Sequence, residues 1–172
     1  LPRGSAIGMI SSAAGWGWRQ NLAKVGEYLD ITDFDAAAAW AAKNGGGGKL
    51  GITGFCWGGR IVWMYAAHNP SLAAGVAWYG NVASGRSPGD KGAIEVVGRI
   101  KAPVLLIHGG QDQRTPPSQA EAMQRALIGV GNPPQWVFES TEGHGFFDPK
   151  KRLNAYQQII DFLDKNIGQQ AK

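Results

Sequence analysis

Residues 49–64 read KLGITGFCWGGRIVWM, a β-prone run that passes directly into an apolar pattern with helical spacing. The strand pattern ends at Phe55, and Cys56 follows between Gly54 and Gly58. A nucleophile on a sharp strand-to-helix turn needs glycine on both sides, because its backbone is strained and the helix packs closely against the strand. The pattern predicts a nucleophile elbow that holds Cys56 beside a helix N-terminus, where a thiolate is favoured.

The competing interpretation is that Cys56 is an inert core residue, since free cysteine is among the most buried residue types. Glycine at elbow spacing on both sides of Cys56 favours the nucleophile instead.

The bulk composition predicts one folded domain over residues 1–172, in which residues 1–5 (LPRGS) have the form of an expression-tag remnant. No apolar run reaches the ~18 residues of a membrane helix, and no export signal is visible. A single cysteine excludes an internal disulfide and a multi-cysteine zinc site. We therefore expect a cytoplasmic protein without a metal or another cofactor.

The formal net charge of +4 raises the possibility of a nucleic-acid partner. The basic residues are scattered, and the tight cluster Lys150-Lys151-Arg152 suits a solvated helix start better than a phosphate site. No stripe of alternating aromatic and basic residues appears, so we expect no nucleic-acid partner and no membrane partner.

Strands alternate with helices along the chain, which is typical of a parallel α/β sheet with helices on both faces. Strands are predicted at 50–55, 73–79, 103–108 and 135–139, and Ile7, Met9 and Ile10 suit a further short strand. Helices are predicted at 20–28, at 32–44 with Thr32 as N-cap, at 58–68, 116–130 and 154–167, and a short helix or a turn at 94–100. In such a sheet, function lies in the loops beyond the C-terminal ends of the strands.

Two of these loops carry an acid and a base. Asp112 follows the strand at 103–108, and His144 follows the strand at 135–139. The chain order of nucleophile, acid and histidine is therefore Cys56, Asp112, His144. His144 would take the thiol proton, Asp112 would fix the imidazole tautomer, and the backbone N–H of Trp57 would stabilise the developing oxyanion.

Each candidate has a structural alternative. Asp112 could cap the helix that follows it, and His144 could be a loop histidine without a role. Asp148 is a rival acid, although its position better suits capping of the last helix. We interpret His68, at a helix end, and His108, inside a strand, as structural.

The tryptophans invite a ligand interpretation, but most of them fall on apolar faces. Trp40 and Trp63 lie on helices, while Trp78 and Trp136 lie on strands, so core packing is expected for these four. Trp57, next to the proposed nucleophile, is the one expected to shape a substrate pocket.

Four segments together resemble the dienelactone hydrolase (carboxymethylenebutenolidase) family over roughly residues 20–168: GFCWGGR at 54–60, AWYG at 77–80, HGGQD at 108–112 and EGHGF at 142–146. The resemblance implies an α/β-hydrolase fold and a triad of Cys56, Asp112 and His144. It also implies hydrolysis of a lactone or another small ester through a thioester intermediate.

The resemblance further implies several N-terminal strands that are missing here, together with a second oxyanion donor. We therefore expect a truncated family member whose elbow strand lies near an exposed apolar edge, and such an edge favours a homodimer or a strand-exchanged oligomer. The alternative to an active hydrolase is a weakly active or inactive domain that serves as an oligomeric structural unit.

Overall fold

The computed structural model describes residues 6–10, 27–44, 49–83 and 91–168. The strands are β1 (Ala6–Ile10), β2 (Leu50–Phe55), β3 (Ala74–Trp78), β4 (Val104–Gly109) and β5 (Gln135–Glu139). The helices are α1 (Glu27–Lys43), α2 (Trp57–His68), α3 (Pro117–Gly129) and α4 (Pro149–Ile167), with a 3₁₀ helix at Ala93–Arg99. All five predicted strands are confirmed, whereas residues 1–5 and most of the predicted helix at 20–28 lie outside the described ranges.

The five strands form one parallel sheet in the order β1-β2-β3-β4-β5, so each strand pairs with its neighbour in sequence. Right-handed crossovers in that order put every connecting helix on the same face of the sheet. Helix α4, which follows the last strand, packs on the opposite face. The predicted α/β class, with helices on both faces, is confirmed.

Strand β4 shows how the two faces are filled. Leu106 faces the cluster under α2, α3 and the 3₁₀ helix, whereas Leu105 and Ile107 face the cluster under α4. All three side chains are buried, as expected of a parallel strand that is covered on both sides. Because the strand is fixed on both faces, its C-terminal end holds the following loop in a defined place.

Two helix predictions are wrong at their N-termini. Thr32 is not an N-cap, because α1 runs without a break from Glu27. The segment contains no Gly or Pro to interrupt it, so its preference for helix outweighs the local preference of Thr32 for an N-cap position. Helix α4 begins at Pro149 rather than at residue 154, since Asp148 caps it and proline suits the first helical turn. Trp40 is also misassigned to the core: its side chain on α1 is 68% exposed.

The elbow strand β2 lies between β1 and β3, so it is second from one edge of the described sheet. The edge that an oligomer would have to cover is therefore that of β1. Among the described residues, no helix has both the length and the apolarity needed to cross a membrane.

Glycines make the close contacts that seat the elbow on the sheet. A Cβ atom at Gly54 would lie 2.3 Å from the carbonyl oxygen of Gly58, and one at Gly59 would lie 2.3 Å from that of Trp78. A Cβ atom at Gly80 would lie 2.3 Å from the backbone nitrogen of Arg60. Strand β2, helix α2 and the end of β3 therefore meet backbone to backbone, without room for side chains.

We predict that Gly54→Ala lowers the free energy of unfolding by about 3 kcal/mol, because the added methyl group meets rigid backbone rather than a movable side chain. Gly129→Ala is the matched control, since a Cβ there has no neighbour within 4 Å and alanine favours the helix that ends at this residue. Urea denaturation of both variants measures the difference. Equal midpoints would show that the elbow tolerates a side chain at position 54.

Candidate active site

Cys56 occupies the turn between β2 and α2 in a strained conformation. Its φ and ψ angles are 56° and −117°, a combination that non-glycine residues rarely adopt. Its N–H donates to the carbonyl oxygen of Trp78 at 3.0 Å, which ties the turn to the end of β3, and the residue is half-buried. The predicted sharp strand-to-helix turn at Cys56 is confirmed.

Asp112 and His144 lie in the loops that follow β4 and β5, and their side chains meet directly. Nδ1 of His144 lies 2.7 Å from Oδ2 of Asp112, and the carboxylate is fully buried. Because an ionised carboxylate only accepts hydrogen bonds, Nδ1 carries the proton and donates it. The neutral ring then has its acceptor lone pair on Nε2.

The second carboxylate oxygen of Asp112 holds its own loop. Oδ1 accepts the backbone N–H groups of Arg114 and Thr115 at 2.8 and 2.9 Å. The alternative that Asp112 caps the next helix is wrong, because α3 has Pro116 at its N-cap and no side-chain cap there. Both oxygens are thus engaged, and the carboxylate has a single orientation toward His144.

Nε2 of His144 is buried and has no hydrogen-bond partner among the described residues. A base that must accept a proton from a reacting group needs an available lone pair of this kind. The nitrogen that points away from Asp112 is therefore chemically available.

The loops that carry Asp112 and His144 are locked together through their backbones. Gln111 N–H donates to the carbonyl oxygen of Glu142 at 2.8 Å, and Gly110 N–H donates to that of Glu139, also at 2.8 Å. A Cβ at Gly109 would lie 2.3 Å from the carbonyl oxygen of Gly143. The two glycines of the HGGQD segment are therefore needed because the histidine loop crosses directly over them.

Tyr79, which the sequence interpretation did not single out, lies among these groups. Its ring centroid is 4.5 Å from that of His144, and its φ of 34° makes it the second strained non-glycine residue among those described. Burial, together with the neighbouring charges of Cys56 and Asp112, raises the pKa of its hydroxyl to about 12. Its position directly after a strand, within the AWYG segment, was the available signal.

Arg60 is a second residue that the sequence interpretation did not single out. Its guanidinium is buried in the first turns of α2 and donates to the carbonyl oxygens of Ala83 at 2.8 Å and Lys91 at 2.9 Å. These carbonyls belong to the connection that leaves the site after Tyr79. Arg60 thus fixes the backbone beside the elbow, and only the folded structure could reveal this contact.

The rival titratable residues have structural partners. Asp148 accepts the N–H groups of Lys150 and Lys151 at 2.8 and 3.0 Å, and these bonds lower the pKa of its carboxyl. His108 is fully buried, with Nε2 2.9 Å from the carbonyl oxygen of Thr115, and burial lowers its pKa. These contacts agree with the structural interpretation of both residues.

His68 also has a structural partner, because its Nε2 lies 2.7 Å from Oδ2 of Asp35 on α1. Tyr65 donates to the other oxygen of the same carboxylate at 3.1 Å. This cluster joins α1 to α2, far along the helix from the elbow.

Residues 16–165 match the sequence profile of the dienelactone hydrolase family, which includes the elbow and both loops. The chain belongs to the dienelactone hydrolase family. An Escherichia coli K12 protein provisionally named carboxymethylenebutenolidase is 42% identical over 159 residues, and a Methylorubrum extorquens protein with the same provisional name is 43% identical over 128 residues. The alignments cover 87% and 73% of this chain but 59% and 44% of those proteins, so the chain spans about half the length of these curated relatives.

Solved structures agree with membership of the dienelactone hydrolase family. A crystal structure of a provisionally named dienelactone hydrolase from Klebsiella pneumoniae superimposes with a TM-score of 0.78 at 34% identity, covering 84% of this chain and 64% of that one. An acylaminoacyl peptidase from Pyrococcus horikoshii superimposes with a TM-score of 0.65 at 19% identity, covering 72% of this chain and 25% of that one, which shows a shared fold alone.

The raised pKa of Tyr79 predicts a loss of stability in alkali. The unfolded phenol ionises near pH 10 and the folded one near pH 12, so the unfolded state loses its proton first and stability falls between these values. We expect this fall to be smaller in Tyr79→Phe than in the unsubstituted protein, by on the order of 2 kcal/mol. Urea unfolding at pH 9, 10, 11 and 12 measures it, and parallel curves for both proteins would contradict the prediction.

Proposed function

We propose that this dienelactone hydrolase family member cleaves small esters or lactones, with Cys56 as nucleophile, His144 as general base and acid, and Asp112 as the group that orients His144. The observation that carries the proposal is the buried Nε2 of His144, which has no hydrogen-bond partner in the part of the chain that the structure describes, while Nδ1 of the same ring donates to Asp112 at 2.7 Å. Such an arrangement supplies an oriented base at the same sheet edge as a strained cysteine.

In the first half of the reaction, Sγ of Cys56 attacks the ester carbonyl carbon while Nε2 of His144 takes the thiol proton. The carbonyl oxygen becomes an oxyanion, and the backbone N–H of Trp57, in the first turn of α2, donates to it. The C–O bond then breaks, and Nε2 returns the proton to the leaving alkoxide. The products are an alcohol and a thioester of Cys56.

In the second half, water attacks the thioester carbonyl carbon while Nε2 of His144 takes a proton from it. The C–S bond breaks, the carboxylic acid leaves, and the proton returns to Cys56. Asp112 keeps its orientation throughout, because its second oxygen is held by two backbone N–H groups, and its role is to orient the ring and stabilise the imidazolium.

An aromatic cluster supports the end of β2 that carries the elbow. Phe55, directly before the nucleophile, packs on Trp78 with ring centroids 4.8 Å apart, and Phe146 packs on the same indole at 5.7 Å. Tyr79 adds a neutral phenol at the ring of His144. These rings belong to the buried cluster between the sheet and α4, so they hold the end of the elbow strand in place.

We predict that Cys56→Ala abolishes hydrolysis of p-nitrophenyl acetate and of a dienelactone, because the covalent step has no other nucleophile. Since the chain contains one cysteine, stoichiometric iodoacetamide treatment of the unsubstituted protein should remove the same activity. Initial rates of the two proteins, with the mass of the alkylated protein, measure both effects. Gly129→Ala, which changes a helix end away from the elbow, serves as the control.

Equal rates for Cys56→Ala and the unsubstituted protein would reject the enzymatic proposal. The chain would then be an inactive domain that retains the geometry of the triad.

We also infer a homodimer or a strand-exchanged oligomer, because β1 is an edge strand of the described sheet and edge strands offer backbone hydrogen-bonding groups to another chain. Sedimentation equilibrium should give about twice the mass of 18.3 kDa. A monomeric mass across the concentrations used for the assays would contradict this inference.

A further inference from the structure

Glu142 is a buried carboxylate that takes no part in the chemistry proposed above. It lies two residues before His144 and is 6% exposed. Burying a carboxylate is unfavourable unless it accepts hydrogen bonds or pairs with a cation. The hydrogen-bond partners of Glu142 therefore indicate its structural role.

The groups of Glu142 hold three separate segments. Its carboxylate oxygen Oε2 accepts the backbone N–H of Phe147 at 2.6 Å, which closes the loop of residues 142–147 around His144. Its own N–H donates to the carbonyl oxygen of Glu139 at 3.1 Å, at the end of β5. Its carbonyl oxygen accepts the N–H of Gln111, next to the acid of the triad.

The closed loop needs an external restraint because glycines flank its histidine. Among the described residues, a Cβ at Gly143 would have one neighbour within 4 Å, the carbonyl oxygen of Gln111 at 3.8 Å, so the space beside this residue is open although its own carbonyl oxygen packs over Gly109. Gly145 has a φ of 140°, which glycine reaches easily and can also leave easily. The ring of His144 is held by the Nδ1 bond to Asp112 and by the ring of Tyr79, and a backbone bridge joins Gly143 to Gly145. The Glu142–Phe147 bond closes the loop outside this bridge, so it restrains the backbone that carries His144.

We propose that Glu142 is a positioning residue that holds His144 in place by accepting the N–H of Phe147. Its effect on turnover rests on the proposed hydrolase function, whereas its effect on the His144–Asp112 bond does not. A displacement of about 1 Å in a catalytic group typically costs up to about 100-fold in rate. The charge of Lys151, whose Nζ lies 3.8 Å from Oε1 of Glu142, is secondary because that contact is long.

Three substitutions separate the hydrogen bond from the charge. Glu142→Gln keeps an oxygen at the same reach and loses the charge, while Glu142→Asp keeps the charge and shortens the reach. Glu142→Ala removes both. Glu139→Ala is the control, because Glu139 also faces Lys151, at 3.9 Å, but does not close the loop.

The primary measurement is the ring ¹⁵N spectrum of ¹⁵N-histidine-labelled protein, in which the Nδ1–H of His144 is assigned by its loss in Asp112→Asn. We expect the hydrogen-bonded Nδ1–H signal to persist in Glu142→Gln and Glu139→Ala. In Glu142→Asp and Glu142→Ala we expect it to exchange rapidly or to shift toward a mixture of tautomers. For p-nitrophenyl acetate, kcat should stay within about threefold of the unsubstituted protein in Glu142→Gln and Glu139→Ala. It should fall roughly 10- to 100-fold in Glu142→Asp and Glu142→Ala, with KM within about twofold in all four variants.

An unchanged Nδ1–H signal in both Glu142→Asp and Glu142→Ala would overturn the proposal, and so would loss of the signal in Glu142→Gln with retention in Glu142→Asp. If Glu142→Ala does not fold, the Asp and Gln pair still decides between reach and charge. If the spectra follow the expected order while no protein, including the unsubstituted one, shows Cys56-dependent turnover, the positioning role stands and the hydrolase proposal fails.

Discussion

The site depends on close approaches between backbones at the C-terminal edge of the sheet. Gly54 meets Gly58, and Gly59 meets the carbonyl oxygen of Trp78, so the elbow, its helix and the end of β3 touch without intervening side chains. At the next two strands, Gly109 and Gly110 allow the histidine loop to cross the acid loop. These contacts set the separations between segments that lie far apart in sequence. A side chain at any of these glycines would move one segment of the site relative to another.

Charged side chains then fix the loops through backbone groups rather than through other charges. Arg60 donates to carbonyl oxygens beyond β3, and Asp112 accepts two N–H groups of its own loop. Glu142 closes the loop around His144. A charge that binds peptide groups at short range keeps its loop in one arrangement, and charge-assisted bonds are stronger than neutral ones. The preorganisation that the proposed acyl transfer requires is thus distributed over three loops, each with its own restraint.

Local sequence signals predicted the parts of this arrangement that local geometry governs. The glycine spacing around Cys56 and the positions of Asp112 and His144 after strands are local features, and the structure confirms the sharp turn and the Asp112–His144 bond. The sequence did not predict the roles of Tyr79, Arg60 and Glu142, because these roles arise from tertiary contacts. At Tyr79 the backbone also has a positive φ, which the amino-acid sequence around a tyrosine does not reveal. The start of α1 was predicted wrongly because the continuity of that helix outweighs the capping preference of Thr32.

The two carboxylate oxygens of Asp112 have different partners, which explains why an aspartate is needed at this position. One oxygen accepts two N–H groups, which leaves the other with a single direction, toward Nδ1 of His144. An asparagine has one acceptor oxygen, so it could accept the two backbone N–H groups or the Nδ1–H of the histidine, but not both. With its oxygen on the backbone N–H groups, its NH₂ group would face Nδ1 and force that nitrogen to accept. The proton on the ring would then move to Nε2, the atom that the proposed mechanism uses as a base. The buried acid therefore sets the tautomer, and the loop that it braces sets the place where that tautomer is presented.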